Sequence, residues 1–79
     1  MQPGVPKYRQ LAELIRQRIL DGTYPAGSRL PTEYEWVEET GYGRDTVRSA
    51  VKLLKDSGWL TVTHGLGTYV NPPELRSEG

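Results

Sequence analysis

Four cations recur along one stretch of the chain, Arg44, Arg48, Lys52 and Lys55, at intervals of four, four and three residues. On a helix, at roughly 100° per residue, they share one sector about 80° wide. Val47, Ala50, Val51 and Leu54 share another, about 100° wide. A basic stripe beside an apolar stripe suits a ligand with anions in a row, and the phosphates of a nucleic acid are such a row. Arginine adds selectivity, because its fork matches the O6 and N7 acceptors of guanine in the major groove. The plain alternative is a solvated helix face, so the elements around the stripe have to decide.

The other reactive side chains support less. The single histidine, His64, lies in "THGLGTYV", and there is no cysteine. Metal sites built from His and Cys, and Cys–His nucleophile pairs, are therefore excluded. "GLG" lacks the third glycine and the strand-to-helix setting of a dinucleotide fingerprint. Glu33, Glu35, Glu38 and Glu39 crowd one short stretch. Thr32 with Glu35 three residues on reads as a capping box, and acidic residues suit a first helical turn. The rest of the cluster reads as a solvated acidic face. No enzyme, catalytic residue, metal or cofactor is expected.

Composition sets outer limits. With 79 residues the chain is one small domain at most. Ten basic and ten acidic residues cancel, which taken alone argues against a nucleic-acid partner. Their distribution argues for one. Residues 7–21 carry +2, residues 32–40 carry −4, and residues 43–57 carry +2. Fields act over roughly 8–10 Å, so segregated charge is felt locally. No apolar run suits a membrane span, the N-terminus lacks the pattern of a secretory signal, and a cytoplasmic setting is expected.

The positioning elements follow from periodicity. Tyr8, Leu11, Ala12, Ile15 and Ile19 mark an amphipathic helix that ends near Asp21 and Gly22. "GTYPAGSRLP" is rich in turn formers, with room for a very short strand at Arg29-Leu30. A second helix starts at Thr32, buries Trp36 and Val37, and ends at Gly41. A third spans about 44–57. "WLTVT" and "TYV" read as two strands around a four-residue loop, "HGLG", with Leu60 and Val62 on one face. Trp36, Trp59, Tyr24 and Tyr69 read as packing residues rather than base-stacking platforms. Helix, turn, helix, tight turn, helix and hairpin make a winged helix-turn-helix, an α+β and mainly α fold. In that fold the N-terminal residues of the third helix, Arg44, Asp45, Thr46 and Arg48, meet base edges. Asp45 has three readings: dipole stabilisation, a brace for Arg48, or an acceptor for cytosine N4.

The stretches "YRQLAELIRQRILDGTYPAGSRLPTE", "GRDTVRSAVKLLKDSGWL" and "HGLGTYV" resemble the N-terminal DNA-binding domain of GntR-family transcriptional regulators. The resemblance covers nearly everything from Lys7 to Val70. It implies a regulator, usually a repressor, that binds a pseudo-palindromic double-stranded operator as a homodimer. Carried over by position, Arg44 and Arg48 would read bases, Thr46 would meet a base or phosphate, and His64 and Gly65 would contact the minor groove. Thr32 and Tyr34 join this set at the start of the second helix.

Three departures weaken phosphate anchoring. Gly43 stands where the family often has a hydroxyl, Tyr34 where many members have a cation, and Leu66 where the wing is often basic. A solvated turn histidine is the plain alternative for His64. The expected organisation is a flexible N-terminus over 1–6, the DNA-binding domain over 7–70, and a linker or disordered tail over 71–79. An effector ligand would require a further C-terminal domain, either ligand-binding or of the pyridoxal-phosphate enzyme type found in some family members. A protein-interaction module on the same fold is the alternative of a different class.

Overall fold

The computed structural model describes residues 4–77. The apolar period of the first segment becomes α1 (Lys7–Leu20), with Leu11, Ala12, Ile15 and Ile19 all buried. Its helical path closes at Asp21, and Gly22 turns the chain away at a φ of 89°. Helix α2 (Glu33–Thr40) forms on the expected cap. The Glu35 amide donates to Thr32 Oγ1 at 3.1 Å, and the Thr32 amide donates to Glu35 Oε1 at 2.8 Å. Two donors that a helix start leaves orphaned are thereby satisfied. Three residues, Gly41 to Gly43, link it to α3 (Arg44–Asp56). Val47, Ala50 and Leu54 of α3 are buried, and Val51 is half-buried beside them.

Trp36 sits at the centre of the core, 1% exposed. Tyr24 meets it edge-on at 6.1 Å between ring centroids. Arg18 stacks 5.5 Å from the same ring, donates to the Tyr24 hydroxyl at 3.0 Å and pairs with Glu39 at 2.7 Å. One arginine thus fastens α1, the following loop and α2 together. Burying each large apolar side chain stabilises the fold by roughly 1.5–3 kcal/mol, so these few anchors matter in so small a core.

Strands β1 (Leu60–Thr63) and β2 (Gly67–Val70) pair antiparallel, from Leu60 with Val70 at the root to Thr63 with Gly67 near the tip. The connecting loop has three residues, His64 to Leu66, rather than four, because Gly67 is already paired. The Leu66 amide closes the turn on the Thr63 carbonyl at 3.0 Å. Leu60 is buried, but Val62, expected on the same face, is 47% exposed. The hairpin leaves the core after its first residue pair, so alternation no longer dictates burial. The expected short strand at Arg29 is one bridge, to Tyr69 on the free edge of β2. The Leu30 amide donates to Thr68 O at 2.8 Å and the Val70 amide to Ser28 O at 3.0 Å.

Where the sequence suggests a linker or tail over 71–79, the described part, 71–77, is docked on the domain. Pro73–Leu75 makes a single 3-10 turn. Trp59 Nε1 donates to Ser77 O at 2.9 Å, the Ser77 amide donates to Ser57 O at 2.8 Å, and Asn71 Nδ2 donates to Gly58 O at 2.9 Å. Arg76 stacks 4.9 Å from the Trp59 ring. Polar composition suggests a tail, but one tryptophan gives these residues a surface to lie on. Of the expected flexible terminus and tail, residues 1–3 and 78–79 lie outside the described residues.

Candidate nucleic-acid interface

Helix α3 presents its basic stripe to solvent. Arg44, Arg48, Lys52 and Lys55 are all exposed, as is Asp45, while Thr46 is half-buried. Arg44, Asp45 and Arg48 occupy the first two turns, directly after the tight link from α2, where a recognition helix places its base-reading residues. Gly43 caps α3 without a side-chain hydrogen bond. Asp45 lies 3.9 Å from Arg48, so the brace reading has a geometric basis, although the contact is long.

One partner of these arginines was not legible in the sequence. Glu33, at the first turn of α2, accepts from Arg48 Nε at 2.9 Å and from Nη2 at 3.4 Å. The same carboxylate lies 3.9 Å from Arg44 Nε. A residue read as a first-turn acid of α2 therefore faces both Arg44 and Arg48 on the neighbouring helix. The Glu33 bond holds the Arg48 guanidinium further above its ordinary value, so it is cationic at any pH of interest. Lys52 is likewise pushed up by Asp56, which accepts from it at 2.8 Å. The stripe is charged but partly compensated, which is how a neutral chain can carry it.

Thr32 lies beside this group as the N-cap of α2. Its oxygen accepts from the Glu35 amide, and its side chain also helps hold the Glu35 carboxyl below its ordinary value. Tyr34, in the same helical turn, is 68% exposed. His64 and Gly65 are exposed at the hairpin tip, where Gly65 takes a φ of 80°. Between α3 and the hairpin lies a groove of about 340 Å³ whose lining includes Arg29, Thr32, Glu33, Arg48 and Thr68. The structure thus brings Arg44, Asp45, Arg48 and Thr32 together, with Glu33 as the unforeseen hub. His64 and Gly65 stand apart at the tip of the hairpin.

The profile described as "Bacterial regulatory proteins, gntR family" matches residues 7–70. The chain belongs to the GntR family. Its winged helix-turn-helix fold is shared with solved GntR-family structures. A GntR family transcriptional regulator from Listeria monocytogenes superposes with a TM-score of 0.85 at 24% identity, covering 94% of this chain and 65% of that one. The AraR DNA-binding domain, solved in complex with operator ORE1, superposes at 0.81 with 36% identity, covering 84% of this chain and 80% of that one. Among relatives in sequence, the HTH-type transcriptional regulator Rv0792c of Mycobacterium tuberculosis is 45% identical over 70 residues, which is 89% of this chain and 26% of that protein. The histidine utilization repressor of Pseudomonas putida is 38% identical over 72 residues, covering 91% of this chain and 29% of that protein. The GntR chain described here thus spans between a quarter and a third of those two relatives. The family is one of regulators rather than enzymes, and no helix among the described residues is long and apolar enough to cross a membrane.

Proposed function

We propose that this GntR domain binds double-stranded operator DNA in a sequence-specific way, with α3 in the major groove and the β1–β2 hairpin as the wing in the minor groove. The observation that carries the reading is the exposed pair Arg44 and Arg48 on the first two turns of α3, with the hairpin projecting beyond the core. Arg44 and Arg48 read base edges, Thr46 meets a base or a phosphate, and Asp45 orients Arg48. Thr32 and Tyr34 donate hydroxyl protons to phosphates. His64 and Gly65 follow the minor groove, where a positive-φ glycine lets backbone approach closely.

A homodimer on a pseudo-palindromic site suits a fold that reads one half-site per copy. Two relatives are named repressors, of histidine utilisation and of arabinose metabolism, and repression in the cytoplasm is the corresponding role here. An effector would act through the additional length that such relatives possess.

The test is a fluorescence titration against duplexes selected from random DNA. Arg44→Ala and Arg48→Ala should each weaken binding to the selected duplex roughly ten- to a hundredfold and relax one base preference, the value of one bidentate contact. Unchanged specific binding in both variants would remove α3 from the recognition role. No binding to DNA of any sequence would leave a protein-interaction module as the surviving reading.

A further inference from the structure

We propose that Arg29 is a further DNA-contacting residue, a phosphate clamp at the root of the wing. The inference rests on the reading of α3 and the hairpin given above. Two neighbouring grooves of a duplex are separated by one phosphate backbone. If α3 enters the major groove and the hairpin the adjacent minor groove, that backbone must pass over the surface between them. The groove between α3 and the hairpin lies there, and Arg29 and Arg48 are its two cations.

Arg29 is held for such a contact. Its backbone is fixed by the bridge to Tyr69 and by the buried neighbour Leu30, whose amide bonds Thr68 O. Its side chain is exposed and runs across the wing strand at Gly67. A Cβ at Gly67 would come within 2.8 Å of Arg29 Nε, and Gly67 takes a φ of 126°. Glycine at this point is what lets the guanidinium lie along the wing.

Arg29 also differs from its neighbours in charge balance. Arg44, Arg48 and Lys52 each face a carboxylate within 4 Å. Among the described residues no carboxylate lies that close to Arg29, and the Glu33 carboxylate that shares its groove is taken up by Arg48 and Arg44. Glu35 feels the charge of Arg29 from the same side of the domain but makes no ion pair with it, so the guanidinium keeps donors for a phosphate. It also supplies a charge that Tyr34 and Leu66, both uncharged and exposed, do not bring to this surface.

The experiment compares wild type, Arg29→Ala and Arg29→Lys on a duplex selected by the wild-type chain and on an unrelated duplex, at 50 and 200 mM salt. Losing one phosphate contact removes about 0.9 from the salt slope, so the advantage of wild type over Arg29→Ala should shrink about 3.5-fold between the two salts. The loss should be equal on both duplexes, because phosphates carry no sequence, and Arg29→Lys should keep the slope. Wild type that binds DNA with a slope unchanged by Arg29→Ala overturns the clamp alone. A loss confined to the selected duplex overturns it too, by making Arg29 a base reader. Failure of the wild-type chain to bind any DNA overturns the clamp together with the reading beneath it. Circular dichroism of each variant confirms that the fold is intact, as expected for an exposed side chain.

Discussion

Glu33→Gln tests whether the carboxylate shared by Arg44 and Arg48 tunes specificity on the proposed operator. In the free chain Glu33 engages two nitrogens of Arg48 and sits within 4 Å of Arg44. The Glu33 and Arg48 side chains are 36% and 61% exposed, so water screens the pair and the fold should barely notice the change. Binding should notice it in two opposing ways. A carboxylate about 8 Å from a phosphate repels it by roughly 0.5 kcal/mol in water, reduced to about 0.2 kcal/mol at one Debye length. With two or three phosphates in range, removing the charge should raise affinity for any DNA roughly 2- to 3-fold. Freeing the arginine should cost order that must be restored on a specific base, roughly a 2- to 10-fold loss on operator only. The charge effect is common to both duplexes and cancels, so the ratio of specific to non-specific affinity should fall roughly 2- to 10-fold. Anisotropy titrations of wild type and Glu33→Gln, on a selected duplex and a scrambled one, measure it. Equal changes on the two duplexes would refute the positioning argument and leave Glu33 as a bulk charge.

Two further outcomes concern the scaffold. Gly58 takes a φ of 79° and has no space for a Cβ beside the Leu75 carbonyl, so Gly58→Ala should destabilise the domain by about 1–3 kcal/mol. Thermal unfolding reads this as a loss of several degrees, and an unchanged midpoint would contradict both the positive φ at Gly58 and the docking of residues 71–77 against it. Acid should also weaken the fold. The Thr32 amide holds Glu35 below its ordinary 4.5, and the Gln17 amide does the same for Glu13. Thr23 and Lys52 hold Asp21 and Asp56 below 3.8. Groups depressed in this way bind fewer protons folded than unfolded, so their contribution is complete above about pH 5 and is lost as pH falls through the carboxylate range. Melting midpoints from pH 7 to pH 3 should stay level and then drop, and a rise on acidification would contradict the sign.

Much of this protein is determined locally, and so it was legible in the chain. Helix α1 follows from a 3.6-residue apolar period, the start of α2 from a capping box four residues long, and the hairpin from strand formers flanking a glycine turn. Each signal acts over one or two turns of backbone. The basic stripe of α3 is of the same kind, since a helix turns spacing directly into a face. The placement of Arg44 and Arg48 on the exposed first two turns of α3 was legible for the same reason, because the start of that helix is clear.

Tertiary structure decided what each charge faces. Glu33 and Arg48 are 15 residues apart, and only the angle between α2 and α3 makes them partners. Arg29 is a lone cation in a turn-rich segment until the edge of β2 lifts it beside Gly67. Residues 71–77 read as a polar tail until Trp59 offers a ring and an indole N–H to hold them. Val62 has the pattern of a buried strand residue and the exposure of a surface one, because burial depends on what lies opposite. Local backbone preferences are written within a few residues and fix the elements. Ion pairs and docking surfaces depend on distances between elements, which exist only once the core around Trp36 has closed.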